Sequence, residues 1–158
     1  MADAEQTFET IVDADRETCA EVLLDFESYP DWSGPIVEAE ILTRDEAGRG
    51  VRVAFGLDMK IRTIRYVLEY RYALPGAIVW SLVEGDISSV EGSYVLDPIS
   101  DAQTRAICHQ SIELGFWVPG PLRRIAERQA LRESVLEFAS EAVRRASTVQ
   151  GNDEPRTE

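Results

Sequence analysis

The sequence predicts an α+β domain in which an antiparallel sheet covers one long C-terminal helix. Strand-like alternation extends from residue 36 to residue 114, the breaks in it are short, and a helical pattern with one apolar stripe spans about 121–146. Short connections favour antiparallel neighbours. A sheet with one apolar face must bury that face against another element, and the long helix is the element available to do so.

The first predicted elements are a strand and two short helices. Alternation over residues 5–12 predicts the strand. Asp13 or Asp15 is placed to cap the helix that follows, whose apolar residues recur at three- and four-residue spacing. The segment 26–32, FESYPDW, predicts a short turn or a second helix. Because proline disfavours the helical conformation of the preceding residue, we expect the first helix to end near Tyr29.

Six more strands follow, separated by turns that contain Gly, Pro, Asp or Ser. The long helix opens with Pro119-Gly120-Pro121, and the residues after it are polar and aperiodic. We therefore expect one domain over 1–146 and a disordered polar tail over 147–158. The six predicted strands span 36–44, 50–59, 62–74, 77–84, 89–98 and 103–114.

Composition excludes several classes of protein. The 158 residues suit a single domain, and a net charge of −13 opposes binding to nucleic acid. Cys19 and Cys108 are the two cysteines and lie far apart, which argues against a disulfide framework or a zinc site. No phosphate-binding, dinucleotide-binding or hydrolase motif is present, so we expect no metal and no cofactor.

No signal-peptide pattern or membrane-spanning run is visible, so we expect a cytoplasmic protein without integral membrane association. The oligomeric state is left open.

Alternation also assigns side chains to the two faces of the sheet. One face is aromatic, and several of its side chains carry polar tips, which suits an apolar pocket with a few orienting groups. A solid packed core is the alternative. This face carries Phe55, Met59, Tyr66, Tyr70, Trp80, Tyr94 and Gln110.

Few residues are candidates for catalysis. Alternation places Arg62 on the same face of its predicted strand as Tyr66. An arginine in that position could hold a carboxylate, phosphate or enolate at the end of a cavity. Arg62 and Tyr66 are the weak catalytic candidates, and an arginine that reaches solvent from a strand end is the alternative. His109, the only histidine, shares the parity of Arg105 and Glu113. We therefore expect it on the outer face, away from any ligand.

Five segments, taken in order, resemble the START-like (SRPBCC) superfamily, most closely its branch of polyketide cyclases/dehydrases and coenzyme Q-binding proteins. They are FESYPDW, IRYVLEYRY, IVWSLVEGD, VEGSYVLDPI and VPGPLRRIAERQ. The resemblance covers about residues 5–145. It implies the helix-grip fold, a seven-stranded antiparallel sheet wrapped around the long C-terminal helix, with a hydrophobic cavity between them. It also implies that Trp32 lies at the cavity mouth or plugs the first helix pair, and Leu122 and Ile125 complete the predicted ligand-binding set.

The resemblance implies binding, transport or sequestration of a hydrophobic small molecule such as a lipid, an isoprenoid quinone or an aromatic polyketide. A polyketide aromatase/cyclase is the first alternative, although no histidine or carboxylate is predicted on the inner face. A partner-binding protein of the ribosome-directed toxin type is the second, and the net charge of −13 argues against it.

Overall fold

The computed structural model describes residues 5–60, 62–115 and 120–153, and the side chains of 120–127 and 149–153 lie outside the described set. The fold is a seven-stranded antiparallel sheet with a long C-terminal helix against its concave face, as predicted. The strands are β1 Gln6–Val12, β2 Ile36–Arg44, β3 Gly50–Asp58, β4 Thr63–Ala73, β5 Ala77–Gly85, β6 Ser89–Ser100 and β7 Gln103–Glu113. The helices are α1 Arg16–Leu24, α2 Tyr29–Trp32 and α3 Gly120–Asp153, with a 3-10 turn at Phe26–Ser28.

The strands lie in the order β1-β7-β6-β5-β4-β3-β2, so the chain crosses the sheet as a meander and only β1 joins out of sequence. Each predicted strand is present with ends shifted by two residues at most. Alternation predicts them well because one face of the sheet is buried and the other is open, which keeps apolar and polar residues on opposite sides. Within the described residues, no helix is long and apolar enough to cross a membrane.

Asp15 caps the start of α1, and its Oδ2 accepts a hydrogen bond from the N–H of Thr18 at 3.2 Å. The expectation that this helix ends near Tyr29 is wrong, because α1 stops at Leu24 and a 3-10 turn follows. Tyr29 itself is helical, with φ −53° and ψ −41°. Pro30 fits the first turn of α2, where a missing N–H leaves no intrahelical bond unmade.

Helix α3 packs a stripe of fully buried side chains against the sheet, among them Val135, Phe138 and Ala142. The helix continues from residue 147 to Asp153, where the sequence pattern predicts a disordered tail. Thr148 Oγ1 donates a hydrogen bond to the Arg144 carbonyl at 3.0 Å, which satisfies the hydroxyl within the helix. The end of the apolar stripe therefore does not mark the end of this helix.

The two edges of the sheet are β1 and β2. Strand β2 is irregular, since its register against β3 shifts between Ile36 and Glu38 and again around Thr43. Its exposed side chains include Val37, Leu42 and the charged residues Glu38, Glu40 and Arg44.

Candidate ligand-binding cavity

A cavity of about 390 Å³ lies between the concave face of the sheet and the helices. Strands β3 to β7 supply most of its wall, and α3 closes it with Ala130, Leu131 and Ser134. Volumes above about 300 Å³ are typical of small-molecule sites. The sheet is thus not packed solidly against α3 along the whole length of the helix.

Seven of the predicted ligand-binding residues lie in this wall. Six of them share the inner face because each occupies an inward-facing position of its strand, and Met59 lies just after the end of β3. One row across the sheet contains Tyr70 of β4, Trp80 of β5, Gly92 of β6 and Gln110 of β7, each directly opposite the next. The seven are Phe55, Met59, Tyr66, Tyr70, Trp80, Tyr94 and Gln110.

Two other predicted residues, Trp32 and Arg62, lie outside this wall, and two more fall outside the described side chains. Trp32 lines a separate, shallower depression with Glu133 and Glu137 of α3, and its ring packs on Tyr29 with centroids 4.8 Å apart. Arg62 is exposed in the turn after β3, where its carbonyl accepts the Met59 N–H at 3.0 Å. The side chains of Leu122 and Ile125 lie outside the described residues.

Aromatic rings form two groups along the cavity wall, and the buried ring of Phe26 contacts both. Phe55 and Tyr66 have centroids 5.7 Å apart, Tyr70 and Trp80 6.0 Å, and Trp80 and Tyr94 5.8 Å. Separations of 4.5–7 Å are those of favourable aromatic pairs. The wall therefore presents ring faces and edges to the interior, and the rings hold one another in place.

The hydroxyl groups of the wall tyrosines fall into two sets. Tyr29 donates to the Leu23 carbonyl at 2.6 Å, so its hydroxyl is engaged within the protein. Among the described residues, no hydrogen bond is found for the hydroxyls of Tyr66 and Tyr70, for Nε1 of Trp80 or for the amide of Gln110. Buried polar atoms normally have a partner, so these four groups can form hydrogen bonds with a ligand.

Burial raises the pKa of the titratable groups of the wall. Loss of hydration raises the pKa of Tyr66 to about 12 and that of the Cys108 thiol to about 12, and it raises the pKa of Tyr70 well above the ordinary value. At neutral pH these groups are protonated, so the phenols donate hydrogen bonds and the thiol is a poor nucleophile. No Asp, Glu, Lys, Arg or His occurs among the described residues of the wall.

Sequence reasoning missed several residues of the wall. Gln6 lies opposite Gln110 in the pairing of β1 with β7, and its parity within the first strand indicates the inner face. Tyr29, Ser33 and Ile87 come from helices and turns. Those segments have no regular period from which an inward side chain can be read.

His109 lies on the face of β7 opposite the cavity. Its neighbours Cys108 and Gln110 line the cavity, and successive side chains of a strand point to opposite faces. Nδ1 of His109 is 2.9 Å from Thr7 Oγ1 and 3.3 Å from a carboxylate oxygen of Glu5. The imidazole therefore belongs to the outer surface, as its parity predicts.

A curved antiparallel sheet that holds a long helix over an aromatic cavity defines the helix-grip class of proteins. The chain belongs to the polyketide cyclase/dehydrase and lipid transport family, whose model matches residues 12–139.

Solved structures show the same fold. A START superfamily protein from Mycobacterium smegmatis matches with a TM-score of 0.76 and 22% identity, over 92% of this chain and 98% of that one. The Zhui aromatase/cyclase from Streptomyces sp. R1128 matches with a TM-score of 0.74 and 19% identity, over 90% and 94%. A STAR-related lipid transfer protein from Xanthomonas axonopodis matches with a TM-score of 0.68 and 17% identity, over 87% and 85%. A comparison with curated proteins finds no match.

Proposed function

We propose that the protein binds a hydrophobic small molecule in this cavity and carries or sequesters it. The observation that supports this function is a volume of about 390 Å³ walled by aromatic rings. Apolar area drives binding, and a few polar groups such as the hydroxyls of Tyr66 and Tyr70 orient the ligand. The family description includes lipid transport, and one similar structure is a lipid transfer protein.

The chemistry of the wall favours binding over catalysis. General acid–base catalysis needs a group that gains and loses a proton near the working pH. The described wall contains no carboxylate or imidazole, and burial holds the pKa of Tyr66 and Cys108 at about 12. A ligand can therefore be held and oriented without a base at hand to remove its protons.

An aromatase/cyclase is the second candidate, because protonated phenols can polarise a carbonyl. Tyr66 and Tyr70 offer hydroxyl donors to the cavity, and one similar structure is an aromatase/cyclase. Catalysis of this kind would depend on holding a flexible chain in a reactive fold. Replacement of Tyr66 by phenylalanine would then reduce turnover and leave binding nearly unchanged, whereas a carrier has no turnover to lose.

Titration with a neutral fluorescent probe tests the proposed function. N-phenyl-1-naphthylamine should bind the folded protein with roughly micromolar affinity, or about −8 kcal/mol. Trp80→Leu should weaken binding by about 1–2 kcal/mol, because apolar contact with the probe is lost. The measurement is the rise in probe fluorescence on titration with protein.

Val79→Ala is the matched control, because Val79 precedes Trp80 on the same strand and its side chain is 37% exposed. It should bind the probe as the wild type does. Equal weakening in both variants would point to a general loss of structure. No binding by the wild type up to the solubility limit of the probe would overturn the proposal.

A further inference from the structure

The indole of Trp80 occupies the space that any larger residue at position 92 would need. A Cβ atom placed on Gly92 would lie 2.4 Å from Cε2 and 2.5 Å from Nε1 of Trp80, whereas ordinary contacts begin at 3.4 Å. Gly92 faces Trp80 directly in the pairing of β5 with β6. The indole thus lies against the backbone of β6, where the absence of a side chain allows it.

The reason for glycine at this position is space rather than backbone conformation. Gly92 does not have the positive φ found at Gly48, Gly85 and Gly115. Alanine at 92 therefore requires no strained backbone. What it requires is that the indole move by about 1 Å, the difference between a distance of 2.4 Å and an ordinary contact of 3.4 Å.

Only one direction is open for that movement. Tyr70 and Tyr94 flank the indole, with centroids 6.0 Å and 5.8 Å from it. These rings are themselves buried, at 8% and 6% exposure, so they block a sideways shift along the sheet. The cavity lies on the remaining side of the indole, since Trp80 is part of its wall. A methyl group at position 92 would push the ring into the ligand's space.

We propose that Gly92, by letting the indole of Trp80 lie against β6, sets the upper size of the ligand. The inference rests on the proposed function and adds to it a specificity-determining residue that does not touch the ligand. A cavity of about 150 Å³ holds one benzene. By the same measure, the cavity volume of about 390 Å³ suits a ligand of roughly two or three fused rings. An indole displaced into the cavity would exclude the largest of these ligands.

A series of hydroxylated probes of increasing size tests this inference. Phenol, 2-naphthol and 2-hydroxyanthracene keep one hydroxyl and add one ring at each step. Gly92→Ala should weaken binding of 2-hydroxyanthracene by about tenfold or more, the effect of one misplaced carbon in an apolar pocket. Binding of phenol should stay within about threefold of the wild-type value. Affinities are measured by fluorescence or calorimetry.

Two further variants make the result specific to the indole. Gly76→Ala is the matched glycine control, since a Cβ there would meet only the Ala73 carbonyl, at 3.8 Å, and it should bind all three probes as the wild type does. Gly92→Ala combined with Trp80→Leu should bind as Trp80→Leu alone does. A further loss in the double variant would mean that the alanine acts through the backbone, and the inference would be wrong.

The remaining outcomes are also decisive. If the wild type binds none of the probes, the proposed function fails and this inference fails with it. If the wild type binds and folded Gly92→Ala shows equal change for all three probes, only the inference on size fails. If Gly92→Ala does not fold, the inference is again overturned, because it requires that the indole have room to lift.

Discussion

His109 illustrates how one position along a strand decides the role of a residue. Its imidazole contacts Thr7 and Glu5 on the outer face, while the next residue on each side lines the cavity. We expect His109→Ala to leave binding of N-phenyl-1-naphthylamine within about threefold of wild type, the effect of a surface substitution. Probe titration checks this. A tenfold loss in the folded variant would contradict the outer-face assignment.

At the scale of elements, ion pairs attach the C-terminal half of α3 to the C-terminal end of α1. Glu141 of α3 accepts hydrogen bonds from Arg144 at 2.6 Å and from Arg145 at 2.7 Å. Arg145 also reaches Asp25, the residue that ends α1, at 3.0 Å. Hydrogen bonds from Arg144, with a smaller effect from Arg145, lower the pKa of Glu141 to about 2, although burial opposes the change.

This lowered pKa gives stability a pH dependence. A carboxylate whose pKa is lower in the folded state stabilises the fold above its unfolded pKa, and that contribution is lost as the pH falls. For Glu141 the loss should occur between pH 4.5 and about 2. It amounts to at most about 3 kcal/mol, and less in salt because Arg144 is exposed. Glu141→Gln should show a shallower fall in the free energy of unfolding over this range, measured by denaturant melts. Equal slopes in the two proteins would contradict the prediction.

Elements also differ in how well the sequence predicts them. The seven strands and the inward side chains on them could be predicted, because period-two alternation follows directly from a sheet with one buried face. Tyr29 and Ile87 could not, since they reach the cavity from a short helix and a turn. Gly92 could not either, because its effect depends on which side chain lies opposite across the sheet. Arg62 shows the limit of alternation at a strand end, because it lies before the first residue of β4 and is exposed.

At the scale of the whole molecule, one part of the interior is solid and another is hollow. Phe138 of α3 is fully buried and packs on Tyr94 with centroids 5.2 Å apart. Trp80 is 7% exposed and has the cavity on one side. We expect Phe138→Ala to lower the free energy of unfolding by about 3–5 kcal/mol, the cost of a large truncation in a solid core. Trp80→Ala should cost less, because fewer packing contacts are lost at a cavity wall.

Urea melts of the wild type and the two alanine variants compare these costs. Each variant should unfold in a single cooperative transition with an unchanged dependence on urea, which makes the free energies comparable. Equal destabilisation by the two truncations would indicate that Trp80 is packed as tightly as Phe138, and that the interior around β5 is closed.

The irregular register of β2 affects the tendency of the protein to aggregate at high concentration. An open sheet ends in unpaired N–H and C=O groups, which are a template for strand addition and aggregation. The register shifts near Glu38 and Thr43 interrupt that row of groups, and the exposed charges of Glu38, Glu40 and Arg44 lie along the same strand. Bulges and charges of this kind are devices by which natural sheets oppose edge-to-edge growth. The free edge of β2 is therefore a poor template for the pairing of a further strand, even though Val37 and Leu42 are exposed on it.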